Sequence, residues 1–360
     1  MVGIQKRLFF LICAVGVITL MVYILTSKER IVHFVHRTEF VTVVKNVFLS
    51  KECKELRSTE RRESQFVTFK FSGRLANWMF AYASLLGIAR KNNRKLCIGA
   101  DNPLTSAFVL EDLNVCNTLT CSDDLYEDRP CAFDPRFDKL PPSNITIHGY
   151  LQSWKYFIHI HSDVKKTFRF QDWMRNEAHS HLKMYTQKIP HDLVIAIHVR
   201  RQDMMLKSSL KLGFKAAPLE YILNAKRYFT RRLKNKVVLY VVVTDDYEWC
   251  LKFLSSNDTV ILPTGDRYTD LAIISMCNHT IITTGTYGWW GAYLAGGETV
   301  YYKNFPEPGS KLDGDTEKAD FFPPSWIPLN KSSLLKSHSL FLFFSYFVCV
   351  LQCNKHIISI

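Results

Sequence analysis

The sequence lacks the cysteine spacings that hold zinc. None of its ten cysteines forms a C-x-x-C pair, and the cluster of Cys116, Cys121 and Cys131 has no neighbouring histidine. Disulfide bonds in an oxidising compartment explain this cluster better. Seven cysteines, from Cys53 to Cys277, follow the N-terminal apolar run. Because seven is odd, at least one is free or pairs between chains.

Long apolar runs are also scarce, and only residues 8–25 form one that can cross a membrane. As a helix this uncharged run spans about 27 Å, and its length favours an uncleaved anchor over a cleaved signal peptide. The apolar run at 340–351 is too short to span a bilayer. We therefore expect a cytoplasmic tail (1–7), a transmembrane signal-anchor (8–25), a stem (26–66), a luminal domain (67–330) and a tail of unknown role (331–360).

Charge and glycosylation signals agree with a luminal location. Acidic residues number 33 against 46 basic ones, which gives a net charge of +13. The basic residues are dispersed and the domain is expected to be luminal, so nucleic-acid binding is not expected, whereas the positive field suits an anionic ligand. N-x-S/T sequons, each a weak signal alone, follow the anchor at Asn144, Asn257, Asn278 and Asn330.

Strand and helix patterns alternate from residue 66 onward. Strands are predicted at 66–71, 96–98, 146–148, 193–199, 237–243, 280–283 and 299–302. Helices are predicted at 77–91, 249–254 and 271–276, and a further one begins at Pro218. This alternation predicts an α/β fold with parallel sheets, and residues 67–330 suffice for one large or two smaller units.

The segment LVIAIHVRRQD, residues 193–203, is the most informative. Its β-branched run is typical of a buried parallel strand, and ligands collect beyond the carboxyl ends of such strands. Arg200 and Arg201 provide planar cations suited to phosphate, and His198 shares the face of Arg200. From spacing alone, a structural salt bridge between an arginine and Asp203 at the end of the strand is an equally good interpretation of this segment.

Four segments together resemble a known family. The H-x-R-R-x-D pattern at 198–203 resembles the first donor-binding motif of fucosyltransferases that use GDP-fucose. Residues 72–77 (SGRLAN), 148–154 (HGYLQSW) and 270–294, which contain CNHT and GTYG, are similar to segments of the galactoside α1,2-fucosyltransferases. The matches follow the family's order and span about residues 67–305.

The resemblance implies a GT-B-like fold with two Rossmann-type lobes, the donor lobe beginning near residue 191. The implied reaction moves L-fucose from GDP-β-L-fucose to the 2-hydroxyl of a terminal galactose on a glycan, with inversion. GDP-fucose is then a co-substrate, no cofactor is expected, and the galactose-terminated glycan is the second partner. The luminal domain would be catalytic, in a single-pass type II Golgi membrane protein. The sequence does not specify its oligomeric state, and a homodimer is one option.

The resemblance also assigns roles to individual residues. Donor binding falls to Asn77, His198, Arg200, Arg201, Asp270, Thr286 and Tyr287. Arg200 would neutralise charge on the departing phosphate, and Asp270 would accept hydrogen bonds from guanine N1–H and its 2-amino group. Structural alternatives exist: His198 as a core residue, Arg201 as a brace for the loop, Asp270 as the cap of a helix that it opens, and 285–288 as an ordinary turn.

Catalysis is assigned to Arg200 and Asp203, but the general base stays open. Asp203 is the nearest carboxylate, Asp245 and Asp246 are rivals, and a strongly dissociative transfer needs no strong base. No metal is expected, because the D-x-D triplet at 313–315 falls in what we predict to be a surface loop.

Two departures from the family pattern flank Asn77. Ala76 and Trp78 replace a glycine and a glutamine, which leaves the asparagine intact but puts an acceptor contact in doubt. They favour one alternative, a catalytically degenerate membrane-anchored glycan-binding protein. Another alternative is an α1,6- or protein O-fucosyltransferase, against which the CNHT and GTYG segments count.

Overall fold

The computed structural model describes residues 65–99, 102–110, 115 and 122–332, which belong to one unit, Ser64–Ile360. The predicted anchor at 8–25, nearly all of the stem and the run at 340–351 lie outside the described residues. No helix within the described ranges is long and apolar enough to cross a membrane.

In the described part of the chain, ten strands and ten α-helices are present. The strands are β1 Phe66–Phe69, β2 Lys95–Leu96, β3 Asp123–Tyr126, β4 Ile145–His148, β5 Leu193–Val199, β6 Val238–Thr244, β7 Thr259–Ile261, β8 His279–Ile282, β9 Thr299–Tyr302 and β10 Ile327–Leu329. The helices are α1 Leu75–Lys91, α2 His161–Thr167, α3 Asp172–Thr186, α4 Lys207–Leu212, α5 Leu219–Arg232, α6 Tyr247–Leu254, α7 Arg267–Met276, α8 Thr286–Ala295, α9 Lys311–Gly314 and α10 Lys318–Phe321. Short 3₁₀ turns occur at Pro103–Ser106, Pro135–Asp138, Trp154–Tyr156, Ile158–Ile160 and Asp203–Met205.

The strands form two parallel sheets, which confirms the predicted α/β class. The first has the order β2-β1-β4-β3, and the second has the order β10-β9-β8-β5-β6-β7. Starting from β7, the second order is the doubly wound 3-2-1-4-5-6 arrangement, whose strand order reverses between β5 and β8. Ligands bind beyond the carboxyl ends of the strands at such a reversal. The end of β5 is therefore the expected place for a site.

Aromatic packing joins the two sheets through helices α1 and α8. Phe80 of α1 packs against Trp289 and Trp290 of α8, with ring centroids 4.5 and 5.2 Å apart, and all three side chains are fully buried. Burying aromatic side chains of this size is strongly favourable. The packing brings the N-terminal ends of both helices to the same side of the molecule, where Asn77 contacts Thr286.

All four predicted helix starts were wrong, by one to four residues; α6, for example, begins at Tyr247 rather than Trp249. The first helix begins at Leu75 rather than Asn77, and Pro218 precedes its helix instead of opening it. Asp270 does not open α7, because Asp266 caps it by accepting hydrogen bonds from the backbone N–H groups of residues 268 and 269. The first turn of α7 is polar, so apolar periodicity does not reveal it.

One cysteine of the cluster that was interpreted as disulfide-bonded, Cys131, forms no disulfide. Cys97 is disulfide-bonded, whereas Cys131, Cys250 and Cys277 are buried free thiols. The prediction of a disulfide for Cys131 was therefore wrong, because its thiol instead donates a hydrogen bond to Gln152. The prediction that at least one cysteine is free or pairs between chains agrees with these three free thiols.

Candidate active site

A cavity of about 720 Å³ opens beyond the carboxyl ends of β5 and β6. Residues 74–77, at the start of α1, line this first cavity together with His198, Arg200, Asp203 and Asp270. Its volume falls in the range of about 300–1,000 Å³ that is typical of ligand sites. The predicted donor residues Asn77, Thr286 and Tyr287 line it as well.

Arg200 lies just after β5 and is held in place by Asp203. Its Nε donates to Oδ1 of Asp203 at 2.9 Å, and its Nη2 donates to Oδ2 at 2.6 Å. The Arg200 backbone N–H donates to Thr283 Oγ1 at 3.1 Å, which fixes the end of the strand. The guanidinium is thus immobilised by a bidentate pair while it still lines the cavity.

Asp203 also connects the two sides of the cavity. Arg74 Nη2 donates to its Oδ2 at 2.7 Å, so one carboxylate holds two arginines. Burial opposes ionisation of Asp203, but the hydrogen bonds and charges of Arg200 and Arg74 outweigh it and lower its pKa to about 2. Asp203 is therefore ionised at physiological pH and is a poor proton acceptor there.

The His198 ring forms an inner wall of the cavity. Burial, with the nearby Arg200 charge, lowers the pKa of His198 to about 3, so the imidazole is neutral at physiological pH. Its buried Nδ1 has no hydrogen-bond partner among the described residues. The ring lies 5.3 Å from that of Tyr287 between centroids, and a Cβ at Gly288 would overlap it. The missing side chain lets α8 approach the histidine closely.

The N-terminal end of α8 faces Arg200. Gly285, which precedes the helix, has a φ of +85°, and a Cβ there would overlap Arg200 Nη1. Glycine is required on both counts. The arrangement sets a fixed guanidinium beside the N–H groups of a helix start, and both favour an anion.

Asp270 also lines the first cavity. Burial raises its pKa to about 6, against a hydrogen bond from the Gly265 N–H to Oδ2 at 3.4 Å. Because Asp266 caps the helix, capping does not explain the Asp270 side chain. Its carboxylate is available to a ligand.

Arg201 is positioned differently from Arg200. It lines neither the first cavity nor a second one that adjoins it. Its Nε donates to Asp246 Oδ2 at 3.2 Å, its backbone N–H donates to Asp245 Oδ1 at 2.8 Å, and its guanidinium lies 3.9 Å from the centre of a Trp249 ring. These contacts favour the bracing role. Asp246 also caps α6 and lines neither cavity, whereas Asp245 lines the first.

A second cavity of about 620 Å³ adjoins the first. Five residues line both, which places the junction at Arg74, Asn77, Arg200, Asp203 and Thr286. Asp315 and Gln152 line the second cavity only. The interpretation of residues 313–315 as a surface loop was therefore wrong in part, because Asp313 and Gly314 belong to the short helix α9 and Asp315, its C-cap, lines the second cavity. Gln152 belongs to the HGYLQSW segment, but no role had been predicted for it.

The two departures from the family pattern have different environments. Ala76 lines the first cavity, whereas Trp78 lines neither cavity and packs against Phe71, with ring centroids 6.1 Å apart. Within the described ranges, no group of three or more His, Cys, Asp or Glu side chains is arranged to hold a metal ion.

The predicted glycosylation sites all fall on described residues. Asn257 and Asn278 are exposed, and Asn144 and Asn330 are half-buried. Asn144 and Asn278 accept backbone hydrogen bonds through Oδ1, from Phe66 and Val194, and these bonds do not use the Nδ2 atom to which a glycan would be attached.

The chain is similar in sequence to known glycosyltransferases. Residues 22–330 match the sequence model of glycosyl transferase family 11. The chain is 30% identical over 275 residues to galactoside 2-alpha-L-fucosyltransferase Sec1 of Mus musculus, covering 74% of each chain. It is 31% identical over 277 residues to galactoside alpha-(1,2)-fucosyltransferase 1 of Rattus norvegicus, covering 72% of this chain and 71% of the relative. The solved fucosyltransferase NodZ from Bradyrhizobium is 14% identical with a TM-score of 0.44, covering 64% of this chain and 91% of NodZ.

Proposed function

The chain belongs to glycosyl transferase family 11, which confirms the resemblance seen in its motifs, and we propose that it is a galactoside 2-alpha-L-fucosyltransferase. It transfers L-fucose from GDP-β-L-fucose to the 2-hydroxyl of a terminal galactose, with inversion and without a metal ion. The observation that carries this proposal is the Arg200 guanidinium, fixed by Asp203 beside the start of α8 and facing the first cavity.

GDP-fucose occupies the first cavity in this proposal. Asp270 accepts hydrogen bonds from the guanine N1–H and 2-amino groups, and the diphosphate lies at Arg200 and the first N–H groups of α8. The fucose then reaches the junction of the two cavities, and the galactose-terminated glycan enters through the second. This division corresponds to a GT-B-like arrangement with the donor lobe beginning near residue 191.

The transfer is a single displacement at fucose C1. The galactose 2-hydroxyl oxygen bonds to C1, the bond from C1 to the phosphate oxygen breaks, and its electron pair leaves with GDP. The hydroxyl proton passes to solvent water or to the departing β-phosphate. Arg200 stabilises the negative charge that develops on the phosphate. Because Asp203 is committed to Arg74 and Arg200 and has a pKa of about 2, its role is to hold the arginines, and a dissociative transfer proceeds without a strong base.

We also propose that the chain is a single-pass type II Golgi membrane protein, anchored by residues 8–25, with its catalytic domain in the lumen. The apolar run and the sequons at Asn144, Asn257, Asn278 and Asn330 support this location.

The test is release of GDP from GDP-fucose by the luminal fragment on a glycan array. Fucose appearing on galactose-terminated glycans, with one GDP released for each, is the expected result. Binding of the same glycans without GDP release would instead identify a glycan-binding protein. Transfer confined to the 6-hydroxyl of another sugar, or to a protein hydroxyl, would contradict the assigned linkage.

A further inference from the structure

Two hydrogen bonds converge on a single oxygen at the junction of the cavities. Asn77 Oδ1 accepts one from Gln152 Nε2 at 3.1 Å and another from Thr286 Oγ1 at 2.9 Å. A carbonyl oxygen has two lone pairs, so both of its acceptor positions are used. The Asn77 amide therefore cannot turn over without breaking these bonds as they stand. Its Nδ2 lies next to Gly73 and has no hydrogen-bond partner among the described residues, so its N–H groups are available to a ligand.

Gln152 is itself held in one orientation. Its side chain is buried, with 8% of the residue exposed, and its Oε1 accepts a hydrogen bond from the Cys131 thiol at 3.2 Å. Burial raises the pKa of this thiol to about 12, so it stays protonated and remains a donor. With Oε1 occupied as an acceptor, the Gln152 amide group must direct its N–H toward Asn77.

We propose that Gln152 is a positioning residue for the transfer. It orients Asn77 so that the Asn77 Nδ2–H groups point to the junction where the bond from fucose C1 to the phosphate oxygen breaks. Gln152 lines only the second cavity, and Asn77 lines both, so the glutamine acts through the asparagine. This inference rests on the proposed function, since it assumes that fucose lies at the junction.

The test is Gln152→Glu, which keeps the shape of the side chain. An ionised carboxylate cannot donate to Asn77 Oδ1, so the Asn77 amide turns and presents its oxygen to the junction. We expect kcat at pH 7.5 to fall roughly 10- to 100-fold, less than the 100- to 1,000-fold typical of removing a donor outright. The Kd for GDP should stay within about twofold, because GDP lies at Arg200 and Asp270 rather than at Gln152.

The pH profile separates this role from a merely structural one. When the carboxyl group of the Gln152→Glu variant is protonated, it carries an O–H that donates to Asn77 in place of the lost N–H. Burial raises the pKa of a carboxyl group, so the ratio of variant to wild-type kcat should rise as the pH falls from 8 to 5. If Gln152→Glu fails to fold, Gln152→Met should lower kcat to a similar degree with no recovery at low pH.

Asn224 provides a matched control. It is also a buried amide, 2% exposed, and it donates to the backbone carbonyls of residues 330 and 331, outside both cavities. Asn224→Asp should lower the melting temperature while kcat for the folded protein stays within about twofold of wild type.

Two outcomes would overturn the positioning role: a folded Gln152→Glu protein with near-normal kcat at pH 7.5, or a loss that is constant from pH 5 to 8. Wild-type turnover measured in parallel separates the two proposals. An inactive wild type on every galactose-terminated acceptor would remove the proposed function itself, whereas an active wild type with an unaffected variant removes only the inference about Gln152.

Discussion

The Arg200 guanidinium and the Asp203 carboxylate are joined by two nearly parallel hydrogen bonds, 2.9 Å from Nε to Oδ1 and 2.6 Å from Nη2 to Oδ2. The pair uses one edge of the guanidinium and leaves Nη1 directed at Gly285. A strand-end salt bridge and an anion-binding arginine, which the sequence presented as alternatives, are therefore one arrangement. The salt bridge fixes the arginine that the proposed phosphate requires.

Arg200→Ala should lower kcat roughly 100- to 1,000-fold, because the departing phosphate loses its fixed positive partner. Arg200→Lys should also be largely inactive, since an ammonium group does not reproduce the bidentate pair with Asp203. GDP release, measured beside a melting curve, checks both. Arg136→Ala is the control: it removes an arginine paired with Asp134 outside both cavities, and it should leave kcat unchanged. Near-normal turnover by folded Arg200→Ala protein would refute the site assignment.

Gly285→Ala should reduce kcat more than tenfold by displacing Arg200. A Cβ at this position overlaps Nη1, and the backbone conformation (φ +85°, ψ 171°), which only glycine adopts readily, adds strain of about 1–3 kcal/mol. Gly309→Ala separates the two effects, because Gly309 has a similar φ of +78° but no atom within 4 Å of an added Cβ. Both variants should lose stability, and only Gly285→Ala should lose activity. Equal activity of the two variants would show that Arg200 tolerates the displacement.

Turnover should survive EDTA, because arginine supplies the positive charge that a metal supplies in D-x-D enzymes. The measurement is initial rate before and after exhaustive chelation, followed by addition of Mn²⁺ or Mg²⁺. Loss of activity that either ion restores would show that the reaction needs a metal.

Local sequence predicted the parts of the site that lie along one strand. The apolar run of β5 places His198, Arg200 and Asp203 at its end without tertiary information. Gln152 and Asp315 were missed as site residues because only the packing of distant segments brings them to the second cavity. Gln152 follows β4 in the first sheet, and nothing in its own neighbourhood distinguishes it from a buried polar residue.

The start of α7 shows a second limit. Asp266 and Asp270 both suit a helix start, and the apolar periodicity begins only at Leu271, so sequence favoured the later residue. In the structure Asp266 caps the helix, because its side chain accepts hydrogen bonds from the backbone N–H groups of Tyr268 and Thr269. That assignment removes the capping alternative for Asp270, and its side chain lines the first cavity.

Glu127→Gln should flatten the pH dependence of stability. Burial raises the Glu127 pKa to about 7, although the N–H groups of Tyr150 and Leu151 bind its carboxylate. A folded-state pKa above the ordinary value means that the folded protein binds this proton more tightly. Stability from this group is therefore full at low pH and is lost as the pH rises from about 4.5 to about 7. Melting temperatures from pH 4.5 to 8, with exposed Glu177→Gln as control, check it. An unchanged slope in the Glu127 variant would contradict the assignment.

Asp270→Asn should weaken GDP binding more than it weakens folding. The amide keeps the shape of the side chain, and the cap of α7 is unaffected because Asp266 supplies it. The change removes the charge and one acceptor needed for the paired contact with guanine N1–H and its 2-amino group. Hydrogen bonds to charged groups contribute about 1.5–3 kcal/mol, so affinity should fall roughly 10- to 150-fold.

The pH dependence of GDP affinity gives the same residue a second test. Burial raises the Asp270 pKa to about 6, and guanine needs the ionised form. Wild-type affinity for GDP should therefore decrease as the pH falls below about 6, whereas the affinity of Asp270→Asn should not follow that titration. Calorimetry at pH 5, 6, 7 and 8 measures both. GDP phosphate ionisation changes in this range too, but it acts on both proteins alike, so the difference between them isolates Asp270. Equal affinities at pH 7 and parallel pH profiles would show that Asp270 does not contact the nucleotide.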